Sequence, residues 1–250
     1  MSEHIVVERQ GPIQTIRMNR PDKKNAITRA MYGAMAAALR DGDADPDIRC
    51  HVFLGVPGAF SSGNDMADFM VVAMGGDGGN EVFEFLVALA TSQKPMVSAA
   101  DGIAVGIGTT IHLHCDMTFA TPRTTFVTPF VNLGIVPEAG SSLIVPRAIG
   151  NQQAFALLAL GEPFSAERAK AAGLIYDVVS ENELEAKALA AAGEIAARPP
   201  QALKIARDLM RGDRTELVER IKLEGKHFRE RLTSEEAKQA LMAFMARKKG

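Results

Sequence analysis

Apolar and polar residues alternate over 5–8 and again over 13–18, and Gly11 and Pro12 between the two runs predict a β-hairpin. A polar stretch, Asn-Arg-Pro-Asp-Lys-Lys-Asn, separates it from a helical pattern that Thr28 can cap and that runs to about residue 40. Met31, Met35, Ala38 and Leu39 lie near one face of that helix, and Ala44-Asp45-Pro46-Asp47 ends it. A short apolar run at 51–54 predicts a buried strand, followed by a Gly/Ser loop and a helix over 80–91 with Phe83, Leu86, Val87 and Ala90 inward. Pro95 marks the next boundary. Strands are expected at 96–100 and 117–120, joined by a glycine-rich turn at 102–108 that leads into a helix through His114.

Short strands alternating with helices at this spacing predict an α/β fold with mostly parallel strands. From Asn151 the pattern turns almost wholly helical, with segments at 152–160, 166–172, 183–197, 202–210, 215–231 and 234–248 and one strand at 174–179. A core over 1–196 and a helical C-terminal region over 197–250 are expected.

Composition narrows the function. The chain has 250 residues, 28 Lys+Arg against 30 Asp+Glu, and a formal charge of -2, so it lacks the basic field that holds a phosphate backbone. Nucleic acid is not an expected partner. The two cysteines, Cys50 and Cys115, are too few for a disulfide framework and stand in no zinc-ligand spacing. His112 and His114 are two apart on a predicted helix and point in different directions, so packing rather than a shared metal is expected. The longest apolar run, 154–160, is too short to span a bilayer, and the first ten residues show no basic region followed by an apolar stretch, so no signal peptide is expected. A cytoplasmic protein with no membrane partner is expected.

Two loops carry candidate chemistry. Phe60-Ser61-Ser62-Gly63-Asn64-Asp65-Met66 comes after a buried strand, with Asp65 placed to cap the residues beyond it. Gly102-Ile103-Ala104-Val105-Gly106-Ile107-Gly108 lets the backbone bend tightly before a helix begins. If one backbone N–H from each converges on a carbonyl oxygen, charge developing there is stabilised. Both segments also read as ordinary turns. A dinucleotide site fits worse: Gly106-x-Gly108 lacks a third glycine at 111, which is Ile, and no acidic residue stands at the required distance.

The segment FSSGNDM resembles the FxxGxDL signature of the crotonase (enoyl-CoA hydratase/isomerase) superfamily, and GIAVGIGTTIHLHCDMTFAT resembles its second glycine-rich signature. NRPDKKNAI, VPRAIG and AERAKAAGLIYDVV resemble three further landmarks of that family, in order along the chain. The resemblance implies a crotonase-like spiral of repeated ββα units with a helical C-terminal region, assembled as homotrimers or hexamers. It implies an acyl-CoA thioester as substrate, with coenzyme A part of the substrate and no separate cofactor. The oxyanion-hole donors it implies are the backbone N–H groups of Asn64 and Ile107.

Hydratases of the family use two glutamates, and the matching places here hold Thr110 and Phe130, neither of which can activate water. LGIVPEAGSS instead resembles the corresponding stretch of peroxisomal-type 3,2-enoyl-CoA isomerases, in which the glutamate matching Glu138 is the sole acid/base. On the residues alone, Glu138 also reads as a solvated cap of a helix beginning at about 139. As a base it needs apolar surroundings, for which Phe130, Val131, Leu133 and Ile135 are candidates. Hydration, thioester hydrolysis and non-catalytic acyl-CoA binding stay open beside double-bond migration.

At the coenzyme A end the resemblance points to Lys24 and its neighbour Lys23, Ser62, Asp65 and Met66, although Asp65 also reads as a cap of its own loop. Residues 71–80, Val-Val-Ala-Met-Gly-Gly-Asp-Gly-Gly-Asn, are expected to form one wall of the acyl pocket. Ser234 reads as an N-cap for a last helix with Ala237, Ala240, Leu241 and Phe244 inward. The family's last helices cover the acyl site or a neighbouring subunit. The closing Lys-Lys-Gly is not a peroxisomal address.

Overall fold

The computed structural model describes residues 2–76 and 79–247. The predicted hairpin forms from β1 (Ile5–Gln10) and β2 (Ile13–Met18), and the strands β3 (Cys50–Leu54), β5 (Met96–Ala100), β7 (Met117–Ala120) and β10 (Asp177–Val178) extend it. The order is β1-β2-β3-β5-β7-β10, parallel throughout except for the hairpin. Strands β3 and β5 are buried at every position, which is why they read as continuous apolar runs rather than alternation.

A second sheet, β4 (Ala59–Ser61), β6 (Ile103–Val105), β8 (Thr125–Val127) and β9 (Phe164–Ser165), runs in that order. Each of β3, β5 and β7 is succeeded by a short strand of the second sheet and then by helix, so the chain winds as a spiral of ββα units. The loop and glycine-rich turn expected around 60–66 and 102–108 therefore contain β4 and β6. Strands of two or three residues are too short to show a period of two, and pairing with neighbours, not local pattern, makes them.

The helices are α1 (Arg29–Ala44), α2 (Met66–Ala73), α3 (Glu81–Thr91), α4 (Ile107–Thr110), α5 (Ser141–Phe155), α6 (Ala166–Ala172), α7 (Leu184–Ala196), α8 (Pro200–Arg211), α9 (Arg214–Leu232) and α10 (Glu235–Arg247). Thr28 caps α1, its hydroxyl accepting the Met31 N–H, and Asp45 comes after the last turn. Several expectations need correction. In α3 the buried residues are Phe85, Leu86, Ala88, Leu89 and Ala90, while Phe83 and Val87 are half-buried, because α3 is wedged between α1 and α9 and Phe83 faces a cavity. The helix expected through His114 is one short turn of α4 continued by a 3-10 turn. The helix expected at 152–160 begins earlier, at Ser141, breaks at Gly150 (φ 77°) and ends in a π turn over 156–160. The strand expected at 174–179 pairs only over its later residues, at Asp177 and Val178; Leu174 and Ile175 pack into the core instead.

Ser234 does cap α10, accepting the Ala237 N–H at 3.2 Å. Ala237 and Leu241 are buried, Ala240 is half-buried, and Phe244 is exposed, contrary to expectation. The expected extension of that helix to 248 and the closing Lys-Lys-Gly lie outside the described residues. No helix among the described residues is long and apolar enough to cross a membrane.

Candidate active site

Asn25 builds the first half of the site. It is fully buried, in the left-handed region (φ 53°), and its amide reaches the Met18, Ala59 and Phe60 carbonyls at 3.2, 3.1 and 3.0 Å while Oδ1 accepts the Arg20 N–H. It thus clamps β2 to β4. Its own carbonyl accepts the Ser61 hydroxyl, which in turn accepts the Gly63 N–H. Asn25→Ala removes these buried side-chain bonds at one stroke, leaving the Ala59 carbonyl only the Val56 N–H, and is expected to lower stability by about 3 kcal/mol in urea unfolding.

That scaffold sets Asn64. Ile27 forms a parallel bridge with it, bonding the Gly63 carbonyl and the Asp65 N–H, which turns the N–H of Asn64 itself to the opposite side. The Asn64 side chain accepts the Tyr32 hydroxyl at 2.6 Å. Tyr32 is fully buried on α1, and burial, with Glu138 and Asp68 adding to it, pushes its phenol well above the ordinary tyrosine value, so it stays a donor.

The second half comes from β6 and α4. Strands β4 and β6 are parallel neighbours, so the loops leaving their carboxyl ends meet. A Cβ on Gly63 would stand 3.0 Å from the Val105 carbonyl, and one on Gly108 would stand 2.7 Å from the Ser61 carbonyl. Gly106 turns the chain with φ 56°, and Ile107 opens α4, where its N–H has no intrahelical acceptor. One turn on, Thr110 donates its hydroxyl to Glu138 Oε1 at 2.8 Å. The structure therefore brings the Asn64 loop, the Ile107 helix start and Glu138 together.

Glu138 is only 6 % exposed. Burial pushes its carboxyl up to about 7, the Thr110 hydrogen bond pulls against this, and the nearby Glu224 adds to the rise. It opens on a cavity of about 490 Å³ that Asn64 and Tyr32 also line. The cavity walls are mainly apolar: Ile27, Phe69 and Val72 of the α2 side, Val82, Phe83 and Leu86 of α3, and Ile221, Phe228 and Leu232 of α9. The apolar surroundings thus come from distant helices. Phe130 and Ile135 are buried in the core, the Phe130 ring beside Gly106, Leu133 is half-buried, and Val131 is exposed; none of the four lines the cavity.

Glu138 does not cap α5. Ala139 (φ 62°) and Gly140 (φ 71°) intervene, and the cap is Glu224 of α9, which accepts the N–H groups of Gly140 and Ser142 at 2.6 and 2.9 Å. Of residues 71–80, Val72, Gly75, Gly76, Gly79 and Asn80 line the cavity; 77 and 78 lie outside the described residues.

Residues expected at the coenzyme A end sit on an adjoining strip outside the cavity. Lys24 is exposed, its carbonyl accepting the Ser62 N–H, and the Ser62 hydroxyl donates to the Lys23 carbonyl. Asp65 caps α2 through the Ala67 N–H and pairs with Arg20 at 2.6 Å. Although burial opposes it, these two partners hold its carboxyl below the usual carboxylate range. Met66 opens α2 and packs against the core. His112 bonds Ser98 through Nδ1, and His114 Nε2 donates to the Ala139 carbonyl at 2.8 Å; both imidazoles are buried, their pKa values lowered by desolvation to about 3 and about 4, and hence neutral. Among the described residues no three His, Cys, Asp or Glu side chains form a group suited to a metal ion.

The sequence reading missed Tyr32, Asp68 and Glu224. Tyr32 falls among the apolar positions of α1 and reads as core. Asp68 reads as a first-turn helix acid, yet it lines the cavity and accepts the Arg29 N–H at 2.8 Å.

Residues 8–250 match the family described as Enoyl-CoA hydratase/isomerase. The chain is 35% identical over 253 residues to Enoyl-CoA delta isomerase 2 of Rattus norvegicus, covering 99% of this chain and 64% of the rat protein, so it spans less than two thirds of that relative. It is 31% identical over 251 residues to a probable enoyl-CoA hydratase of Rhizobium meliloti (strain 1021), covering 99% and 96% of the two chains. The solved structure of Pseudomonas aeruginosa OdaA superposes with a TM-score of 0.93 at 42% identity, covering 98% of this chain and 99% of that one.

Proposed function

The chain belongs to the enoyl-CoA hydratase/isomerase family, and we propose that within it this protein is a 3,2-enoyl-CoA isomerase whose single acid/base is Glu138. The observation that carries this reading is the buried Glu138 carboxyl, poised at about 7 on a mostly apolar cavity, while Thr110 and Phe130 occupy the places of the two hydratase acids. A general base works best with a pKa near the working pH.

The ionised Glu138 removes a proton from C2 of a 3-enoyl thioester. The electron pair left on C2 spreads into the C1 carbonyl and into the C3–C4 double bond, giving a dienolate whose charge is shared by the thioester oxygen and C4, and the N–H groups of Asn64 and Ile107 donate to that oxygen. The Glu138 carboxylic acid then returns its proton to C4, and the double bond lies between C2 and C3. Atoms balance without water, metal or redox partner, and coenzyme A is part of the substrate. The strip from Lys23 and Lys24 to Ser62 and Met66 is where the coenzyme A moiety would run.

Because one carboxyl carries the proton both ways, part of the C2 hydrogen should reappear at C4 when the reaction is run in D2O. Complete replacement by deuterium at C4, with exchange slower than turnover at C2 of unreacted substrate, would remove the single-base mechanism.

Thr110 gives a pH prediction. Its hydrogen bond favours ionised Glu138, so Thr110→Val raises the carboxyl further. Activity requires the ionised form, so kcat/KM of the parent rises with pH and levels off above about 7. In Thr110→Val that rise should move to higher pH; an unmoved rise in the kcat/KM profile would mean that another group controls it.

A further inference from the structure

Glu224 is a second buried carboxylate, 6 % exposed, that the chemistry above does not use. One of its oxygens accepts the Gly140 N–H at 2.6 Å, and the other accepts the N–H and the hydroxyl of Ser142 at 2.9 and 2.5 Å. These groups open α5, where N–H donors lack intrahelical acceptors. The turn they fix begins at the base itself: the Ser141 N–H donates to the Glu138 carbonyl at 3.0 Å.

Between them stands Ala139, left-handed at φ 62°, a conformation an alanine keeps only when its surroundings impose it. Two grips hold it. On one side His114 Nε2 donates to the Ala139 carbonyl, and on the other Glu224 holds Gly140 and Ser142.

Glu224 also links this turn to the cavity. Ile221 and Phe228 lie three residues before it and four after it, so they share its side of α9, and both line the acyl cavity. One side of one helix therefore touches both the acyl pocket and the turn that carries Glu138.

We propose that Glu224 is a positioning residue for Glu138, fixing the 138–142 turn so that the carboxylate faces the cavity and tying that turn to the helix that walls it. This rests on the reading of Glu138 as the base. The charged and titratable groups that face the pair are Tyr32 of α1, Asp68 of α2, His114 after α4, Arg29 and Arg229, which line the same cavity, and Arg220 of α9, whose guanidinium donates to the Ser142 hydroxyl at 3.2 Å. Among them the negative charge of Glu224 favours the neutral form of Glu138. Removing that charge should therefore make Glu138 easier to ionise, a change that loss of a helix cap alone does not produce.

The test is kcat, KM and the pH profile of kcat/KM with a 3-enoyl-CoA for the parent, Glu224→Gln, Ser142→Ala and Glu138→Gln. For Glu224→Gln, kcat should fall roughly tenfold or more with KM within about twofold of the parent. The acid limb of kcat/KM should move to lower pH. Ser142→Ala removes one donor and keeps the charge, so it should lower kcat by less and leave the limb in place. Parental kcat in Glu224→Gln, or a loss of kcat with the limb unmoved, overturns the proposal. If Glu224→Gln does not fold, parental kcat in Ser142→Ala overturns it. An active Glu138→Gln would remove the base assignment and this proposal with it, whereas an inactive Glu138→Gln beside an unchanged Glu224→Gln removes this proposal alone.

Discussion

Glu138→Gln should lose double-bond migration by about 1000-fold or more in kcat, because general acid/base groups contribute on the order of 10²–10⁴ and here one group serves both proton transfers. Acyl-CoA affinity should change little, since glutamine keeps the volume of the side chain and the Thr110 contact. Stability should move the other way. The folded-state pKa of Glu138 is raised from 4.5 to about 7, so its favourable contribution is fully present below about 4.5 and is lost as the pH rises through 7. Above pH 7 the buried charge costs about 3 kcal/mol. Thermal unfolding should therefore show Glu138→Gln more stable than the parent at pH 8, with the difference vanishing below about pH 4.5. A variant that is inactive and less stable at pH 8 would mean that Glu138 is a structural group.

Gly108→Ala should be nearly as damaging, through the opposite wall of the site. Its Cβ would stand 2.7 Å from the Ser61 carbonyl and 2.9 Å from Ser61 Cβ, so the start of α4 must move away from β4. The Ile107 N–H moves with it, and losing one oxyanion donor costs about 10²–10³ in kcat. Gly193 of α7 offers the control, because an added Cβ there meets nothing within 4 Å. Gly193→Ala should keep parental kcat. Equal kcat in Gly108→Ala and the parent would show that the N–H of Ile107 is not aimed at the reacting oxygen.

These two positions differ in how openly the sequence displays them. Glu138 and the two glycine-rich segments stand in local patterns, and the long buried strands over Met96–Ala100 and Met117–Ala120 are legible because apolar runs of that length have few other uses. Strands β4, β6, β8 and β9 are not legible, since two or three residues become a strand only through partners far along the chain. The same limit hid the supports of the site. Tyr32 touches Asn64 across 32 residues and Glu224 holds Gly140 across 84, and no periodicity on α1 or α9 distinguishes either from an ordinary helical residue. The cavity beside Glu138 was hidden for a related reason. Nearness in sequence suggested residues 130–135, but the cavity walls come from α1, α2, α3 and α9, which the spiral brings together from far along the chain.

The central claim, that one buried carboxylate moves a double bond without adding water, is tested most directly by giving the purified protein a 3-enoyl-CoA and a 2-enoyl-CoA in parallel and monitoring the conjugated thioester. With the 3-enoyl substrate the conjugated product should form and persist, and with the 2-enoyl substrate no hydration should be seen. Hydration of the 2-enoyl thioester without migration of the 3-enoyl one would contradict it.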